Sequence, residues 1–126
     1  MSDTVDLTGL KILVVEDEML VSMLVEDMLT DFGCSVVGPA ADLAEAMQLA
    51  QQGGFDAALL DVNLGGKPIF PVADLLRDNG VPFIFASGYG EAGIEASHRG
   101  APVLQKPFRE VDLSKALKAL GLTPAT

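Results

Sequence analysis

Four polar signals sit where apolar runs stop: Glu16-Asp17 after the run at 11–15, Asp61 after 57–60, Ser87 after 81–86, and Lys106-Pro107 after 102–104. Three carboxylates, a hydroxyl and an ammonium form a set with a definite chemistry, provided the fold brings them together. Two unit charges about 4 Å apart repel by roughly 4 kcal/mol at an effective dielectric near 20. Three clustered carboxylates therefore raise one another's pKa unless cations neutralise them. Lys106 supplies one positive charge, and a divalent ion held by oxygen ligands and water would supply the rest; such a site suits Mg²⁺ and admits Mn²⁺. A carboxylate beside such an ion and a lysine is equipped to attack a phosphoryl group. The cations offset charge on the phosphoryl oxygens, and the Ser87 hydroxyl can hydrogen-bond one of them.

Convergence of these residues depends on the elements that carry them. Five short apolar runs occur, at 11–15, 35–37, 57–60, 81–86 and 102–104. The first, third and fourth are nearly continuous rather than alternating, the pattern of strands buried on both faces of a parallel sheet. Between the runs lie segments with helical spacing. Leu20, Leu24 and Met28 recur with Val21, Val25 and Leu29 beside them. Leu43, Ala46, Met47 and Ala50 follow a capping box at Asp42 and Glu45. Pro71 suits the first turn of a third helix running to about Asp78. Leu113, Ala116, Leu117 and Leu120 define a last helix that Gly121 stops. The stretch 88–100 holds four glycines and one large aliphatic residue, Ile94, so any helix there is weakly held. Strand–helix alternation repeated five times gives a doubly wound α/β domain with right-handed crossovers. Parallel strands end on one edge, where open α/β sheets bind ligands, and all four polar signals belong to that edge.

Composition narrows the classes. At 126 residues, with 49% hydrophobic and 21% charged residues, the chain is sized for one globular domain. A net charge of −10 argues against direct nucleic-acid binding, which rests on cationic contacts to phosphate. No apolar run approaches the roughly 18 residues that span a bilayer, and the acidic start does not resemble a signal peptide, so a cytoplasmic location is expected. Cys34, the lone cysteine, excludes an internal disulfide and is expected as a small buried hydrophobe.

Glu16-Asp17, Asp61, Ser87 and Lys106-Pro107, each following its strand, resemble the response-regulator receiver domains of two-component signalling from about residue 10 to 120. The resemblance implies a flavodoxin-like five-stranded parallel sheet of order 2-1-3-4-5 with five helices, the fourth weak. It also implies the bounds: a tail at 1–9, the receiver domain at 10–121 and a tail at 122–126. Asp61 would be the phosphoacceptor and Ser87 and Lys106 its catalytic helpers, with Ser87, Gly88 and Lys106 binding the phosphoryl group. Glu16, Asp17 and Asp61 would hold Mg²⁺, joined by Asn63 through its backbone carbonyl. The Lys106–Pro107 bond would be cis. A histidine kinase or phosphotransfer protein would donate the phosphoryl group in a phosphorelay, and a downstream protein would read it, with no substrate turned over as by an enzyme. The run Phe85-Ala86-Ser87-Gly88-Tyr89-Gly90 is similar to the Phe-Ala-Thr-Gly variant group of receivers, often single-domain proteins. That group commonly lacks the aromatic switch residue three positions before the lysine, and Val103 stands there.

A haloacid-dehalogenase-type phosphatase also uses an aspartate after a strand, but it needs a second aspartate two residues on, where this chain has Asn63. A pseudo-receiver that binds partners without taking phosphate remains as the alternative function. A DNA-binding output domain is not expected after the last helix. Placed at 100° per residue, the first helix sets Leu20, Val21, Leu24, Val25, Met28 and Leu29 towards the core. Met19 and Met23 fall among Ser22, Glu26, Asp27 and Thr30 on the outer face. These methionines form a small adaptable apolar patch beside the acidic loop, a candidate docking surface for the kinase. His98 is expected as a solvated surface residue.

Overall fold

The computed structural model describes residues 7–122 apart from 90, 91, 93, 95–97 and 99. Strands β1 (Lys11–Val15), β2 (Ser35–Ala40), β3 (Ala57–Asp61), β6 (Phe83–Ser87) and β7 (Val103–Gln105) form one parallel sheet in the order β2-β1-β3-β6-β7. With the short pair β4 (Asn63–Leu64) and β5 (Lys67–Pro68) set aside, this is the expected 2-1-3-4-5 order. Helices α1 (Met19–Asp31), α2 (Leu43–Gln52), α3 (Phe70–Asp78) and α4 (Glu110–Ala119) cover the two faces. Leu13 and Val15 of β1 join Ala46 and Ala50 of α2 and Phe70, Val72, Ala73 and Leu76 of α3. Ile12 and Val14 point the other way, to Val25 and Leu29 of α1 and Leu113 and Leu117 of α4. Burial of alternate residues on opposite faces explains why the central strands are apolar throughout.

Local signals act as their chemistry requires. The Asp42 side chain accepts the Glu45 amide at 2.8 Å, while Glu45 accepts the amide of Ala41, one residue before the expected partner. Pro71 lies in the first turn of α3, and Lys106–Pro107 is cis. Cys34 is buried, its Sγ 3.4 Å from the Leu7 carbonyl; burial first, and the Asp56 charge second, raise its thiol pKa. Leu7, within the stretch expected as a tail, packs into the α1–α4 face of the core. Residues 1–6 and 123–126 of the expected tails lie outside the described residues.

Three expectations are corrected. Helix α1 is rotated by about 80° from the expected orientation, using 100° per residue: Ser22, Val25 and Leu29 are buried, while Leu20 and Leu24 are exposed. Ser22 tolerates the inward position because its hydroxyl donates to the Met19 carbonyl at 2.9 Å. Among the described residues there are four α-helices rather than five, since those of 88–100 hold no α-helix. His98 is buried rather than solvated, with its ring stacked on Phe70 at 4.6 Å between centroids.

Candidate functional site

The strand ends do converge. Register aligns Asp61 of β3 with Ala86 of β6, and Ser87 with Gln105 of β7. Lys106 donates its amide to the Ser87 carbonyl at 2.9 Å, so hydroxyl and ammonium leave adjacent strand ends. The Lys106 ammonium lies 2.8 Å from Glu16 Oε1, 3.4 Å from Asp61 Oδ1 and 3.9 Å from Glu18 Oε1. Asp17, Glu18, Asp61, Asn63, Gly65, Gly66, Gly88, Tyr89 and Lys106 line a cavity of about 340 Å³. Lys106 is the one cation among these lining residues.

The electrostatics reflect burial. Desolvation, then the charge of Glu16, push the Asp61 carboxyl up to about 7, against the lowering pull of Lys106 and of the Asn63 amide. Burial by itself would lower the Lys106 ammonium, but the hydrogen bond to Glu16 and the charges of Asp61 and Glu16 outweigh it, so its pKa is raised. Lys106 is therefore a fixed cation, whereas Asp61 is a carboxylate lacking enough positive charge.

Donor chemistry fits a hard divalent cation. Carboxylate oxygens of Glu16, Asp17 and Glu18 lie within 4.8 Å of one another, and the cavity has room for waters at about 30 Å³ each. Glu16 is nonetheless engaged on both oxygens, Oε1 by Lys106 and Oε2 by the Glu18 amide at 3.1 Å. Asp17 is exposed, and its Oδ2 accepts the Gly65 amide at 2.9 Å. Sequence reasoning missed two participants: Glu18, which continues the acidic run, and the Gly65-Gly66 turn joining β4 to β5. Both turn glycines have positive φ, as a tight two-residue hairpin requires. Gly66 donates to Asn63 Oδ1 at 2.8 Å, holding Asn63 beside the phosphoacceptor candidate.

The Ser87 hydroxyl accepts the Tyr89 amide at 3.0 Å, and Gly88 borders the cavity. At the other side of the acidic loop, Met19 and Met23 are 76% and 53% exposed. Leu20 and Leu24, at 75% and 59%, join them in one outward apolar strip.

A doubly wound parallel sheet whose carboxyl edge gathers acidic residues, a strand-end aspartate, a serine and a lysine is the architecture of a receiver domain. Comparison with known proteins agrees: residues 12–118 match the response regulator receiver domain family, and the chain belongs to it. It is 31% identical to the phyllosphere-induced regulator PhyR of Methylorubrum extorquens over 111 residues, covering 85% of this chain and 42% of that protein. The chain thus spans about half the length of such curated relatives. The solution structure of SdrG from Sphingomonas melonis superposes with a TM-score of 0.80 at 41% identity, covering 97% of this chain and all of that one. The receiver domain of the sensor histidine kinase PA1611 from Pseudomonas aeruginosa, with magnesium in its active-site cleft, gives 0.76 at 27% identity, covering 89% and 97%. No helix among the described residues is long and apolar enough to cross a membrane.

Proposed function

We propose that this domain accepts a phosphoryl group on Asp61 from a histidine kinase or phosphotransfer protein and passes the signal by protein contact, or drains phosphate from the kinase. The observation that carries this reading is the half-buried Lys106 ammonium, in contact with both Asp61 and Glu16 at the sheet edge. An Asp61 oxygen attacks phosphorus, the P–N bond of phosphohistidine or the P–O bond of acetyl phosphate breaks, and the leaving group takes the bond electrons. Lys106 lies within reach of charge developing on the phosphoryl oxygens, and Ser87 can donate its hydroxyl hydrogen to one of them. Gly88, without a side chain, leaves the backbone open to the phosphoryl group.

Asp17, Asp61 and the Asn63 carbonyl would hold Mg²⁺ or Mn²⁺, with Glu16 contributing to the negative field and free to ligate once Lys106 turns to the phosphoryl group. When bound, the ion supplies charge neutralisation of the carboxylates and of the phosphoryl oxygens. The raised pKa of Asp61 supports this assignment, because a carboxylate starved of cations gains most from one. Tight packing of acidic groups without nucleic-acid-binding charge suits a protein partner in the cytoplasm. The strip of Met19 and Met23, extended by Leu20 and Leu24, is the docking surface for a helical kinase partner. A groove of about 300 Å³ beside it, between α1 and the Lys106–Phe108 loop, offers an apolar seat next to the reaction centre.

Incubation with acetyl phosphate and Mg²⁺, followed by intact mass spectrometry, tests the reading. Wild type gains one phosphoryl mass and Asp61→Ala does not. Absence of labelling of the wild type by any donor would return the pseudo-receiver as the better reading, and labelling of Asp61→Ala would move the acceptor elsewhere.

A further inference from the structure

Between β6 and β7 the chain has few apolar handles, yet two described residues are buried: Ile94, in the core with Phe70 and Phe85, and His98. His98 does not merely fill space. Its Nε2 lies 2.7 Å from Asp74 Oδ1 on α3, and its ring stacks on Phe70, the first residue of that helix, at an interplanar angle of 28°. Asp74 is held in turn by Arg77 Nη2, which bonds the same oxygen at 2.8 Å. Phe85 meets Phe70 edge-on at 5.7 Å and His98 at 6.4 Å, and it lies two residues before Ser87 on the same face of β6. The contact of His98 with α3 and the position of Ser87 therefore share one aromatic cluster.

We infer that His98 is a latch that fastens the β6–β7 connection to α3 through Asp74 and Phe70, and that its grip sets how readily Ser87 turns towards a phosphoryl group. The second half rests on the phosphoacceptor reading above. Ser87 is tied to the connection because its hydroxyl accepts the Tyr89 amide; a rotation of that hydroxyl towards Asp61 either breaks this bond or carries Tyr89, and the connection with it. A connection held at His98 resists that displacement, and apparent affinity for a phosphoryl group falls by the fraction of molecules in which the connection is free to move. The latch combines a side-chain hydrogen bond with an aromatic stack, and these can be removed separately.

His98→Phe keeps the ring and removes the hydrogen bond, while Asp74→Ala removes the acceptor and leaves the ring. Amide exchange of Ala92, Ile94, His98 or its replacement, and Gly100 should quicken by about fivefold in each variant, the size expected for one net hydrogen bond. The double variant should be slower than the product of the two single effects predicts, since both singles delete the His98–Asp74 bond. Exchange in β1 and β3 should stay unchanged, which separates the effect from general loss of fold. With Mg²⁺ present, beryllofluoride should bind each variant about two- to fivefold more tightly than wild type. Unchanged exchange in His98→Phe overturns the latch. Faster exchange with unchanged beryllofluoride affinity overturns its coupling to Ser87. A wild type that binds no beryllofluoride and takes no phosphoryl group overturns the phosphoacceptor reading and the coupling with it, while the exchange result still decides the latch.

Discussion

Replacing Asp61 by asparagine should stabilise the metal-free protein at alkaline pH, although it removes a buried ionic contact. The Asp61 carboxyl has a folded-state pKa of about 7, against an ordinary value near 4. Between these pH values the folded state holds a proton that the unfolded chain has released. Stability from this source is therefore complete below about pH 4 and is lost as pH rises through 7. A displacement of about three pH units corresponds to roughly 4 kcal/mol, and relaxation of water and side chains around the open cavity brings this to about 2 kcal/mol. Asparagine has no charge to desolvate, and Lys106 keeps its 2.8 Å partner Glu16, so no cation is orphaned. Urea unfolding in EDTA, from pH 4.5 to 8, should show wild type losing about 2 kcal/mol more than Asp61→Asn over that range. At pH 8 the variant should melt about 8 °C higher, taking about 4 °C per kcal/mol for a domain of this size. Added Mg²⁺ should close the gap by raising wild type. Parallel pH profiles, or a variant less stable than wild type at pH 8 without metal, would refute the argument that burial and Glu16 outweigh Lys106 at this carboxyl.

Lys106→Met leaves Glu16 and Asp61 facing each other without their cation and should cost about 3 kcal/mol at pH 8, recovered on acidification, as denaturant titrations at both pH values would show. Asp17→Asn should cut the Mg²⁺-induced rise in melting temperature by at least about half, since impaired ligation lowers metal affinity by about tenfold or more; an undiminished rise in calorimetry removes Asp17 from the site. Leu29→Ala, at a position with no solvent exposure, should cost about 2–5 kcal/mol, whereas Leu24→Ala on the same helix should cost less than about 1 kcal/mol. Lysine at both Met19 and Met23 should slow phosphoryl transfer from the kinase by about tenfold and leave acetyl-phosphate labelling intact; equal transfer rates would place docking elsewhere.

Much of this arrangement is legible in the chain itself, because parallel topology turns a list of strand ends into a place. Apolar runs buried on both faces mark the central strands, and whatever polar residue ends them must lie on one edge; Asp61 and Lys106 follow from that rule alone. The rotation of α1 does not. Amphipathic counting favours the larger side chains, so Leu20 and Leu24 outweigh Ser22, yet the serine satisfies its hydroxyl within its own helix and takes the inward place. His98 misleads for a different reason: its carboxylate partner, Asp74, is 24 residues away on another element, where no local register reveals it. The β4–β5 hairpin is signalled by Gly65-Gly66, but its two-residue strands are too short for alternation to register. The acidic run Glu16-Asp17-Glu18 is visible in the chain, whereas the engagement of Glu16 by Lys106, which leaves Asp17 the more available donor, depends on side-chain geometry.

The 2.9 Å bond from the Gly65 amide to Asp17 Oδ2 joins residues 48 apart in sequence and makes one backbone proton an internal gauge. A cation drawing electron density from that carboxylate weakens it as an acceptor, so the Gly65 resonance should move upfield in step with occupancy. Gly66 donates to the neutral Asn63 side chain rather than to a carboxylate, so its resonance should move less. On the proposed ligation by Asp17, the difference between two neighbouring glycine signals would report metal loading as it proceeds, without a mutation or a chromophore.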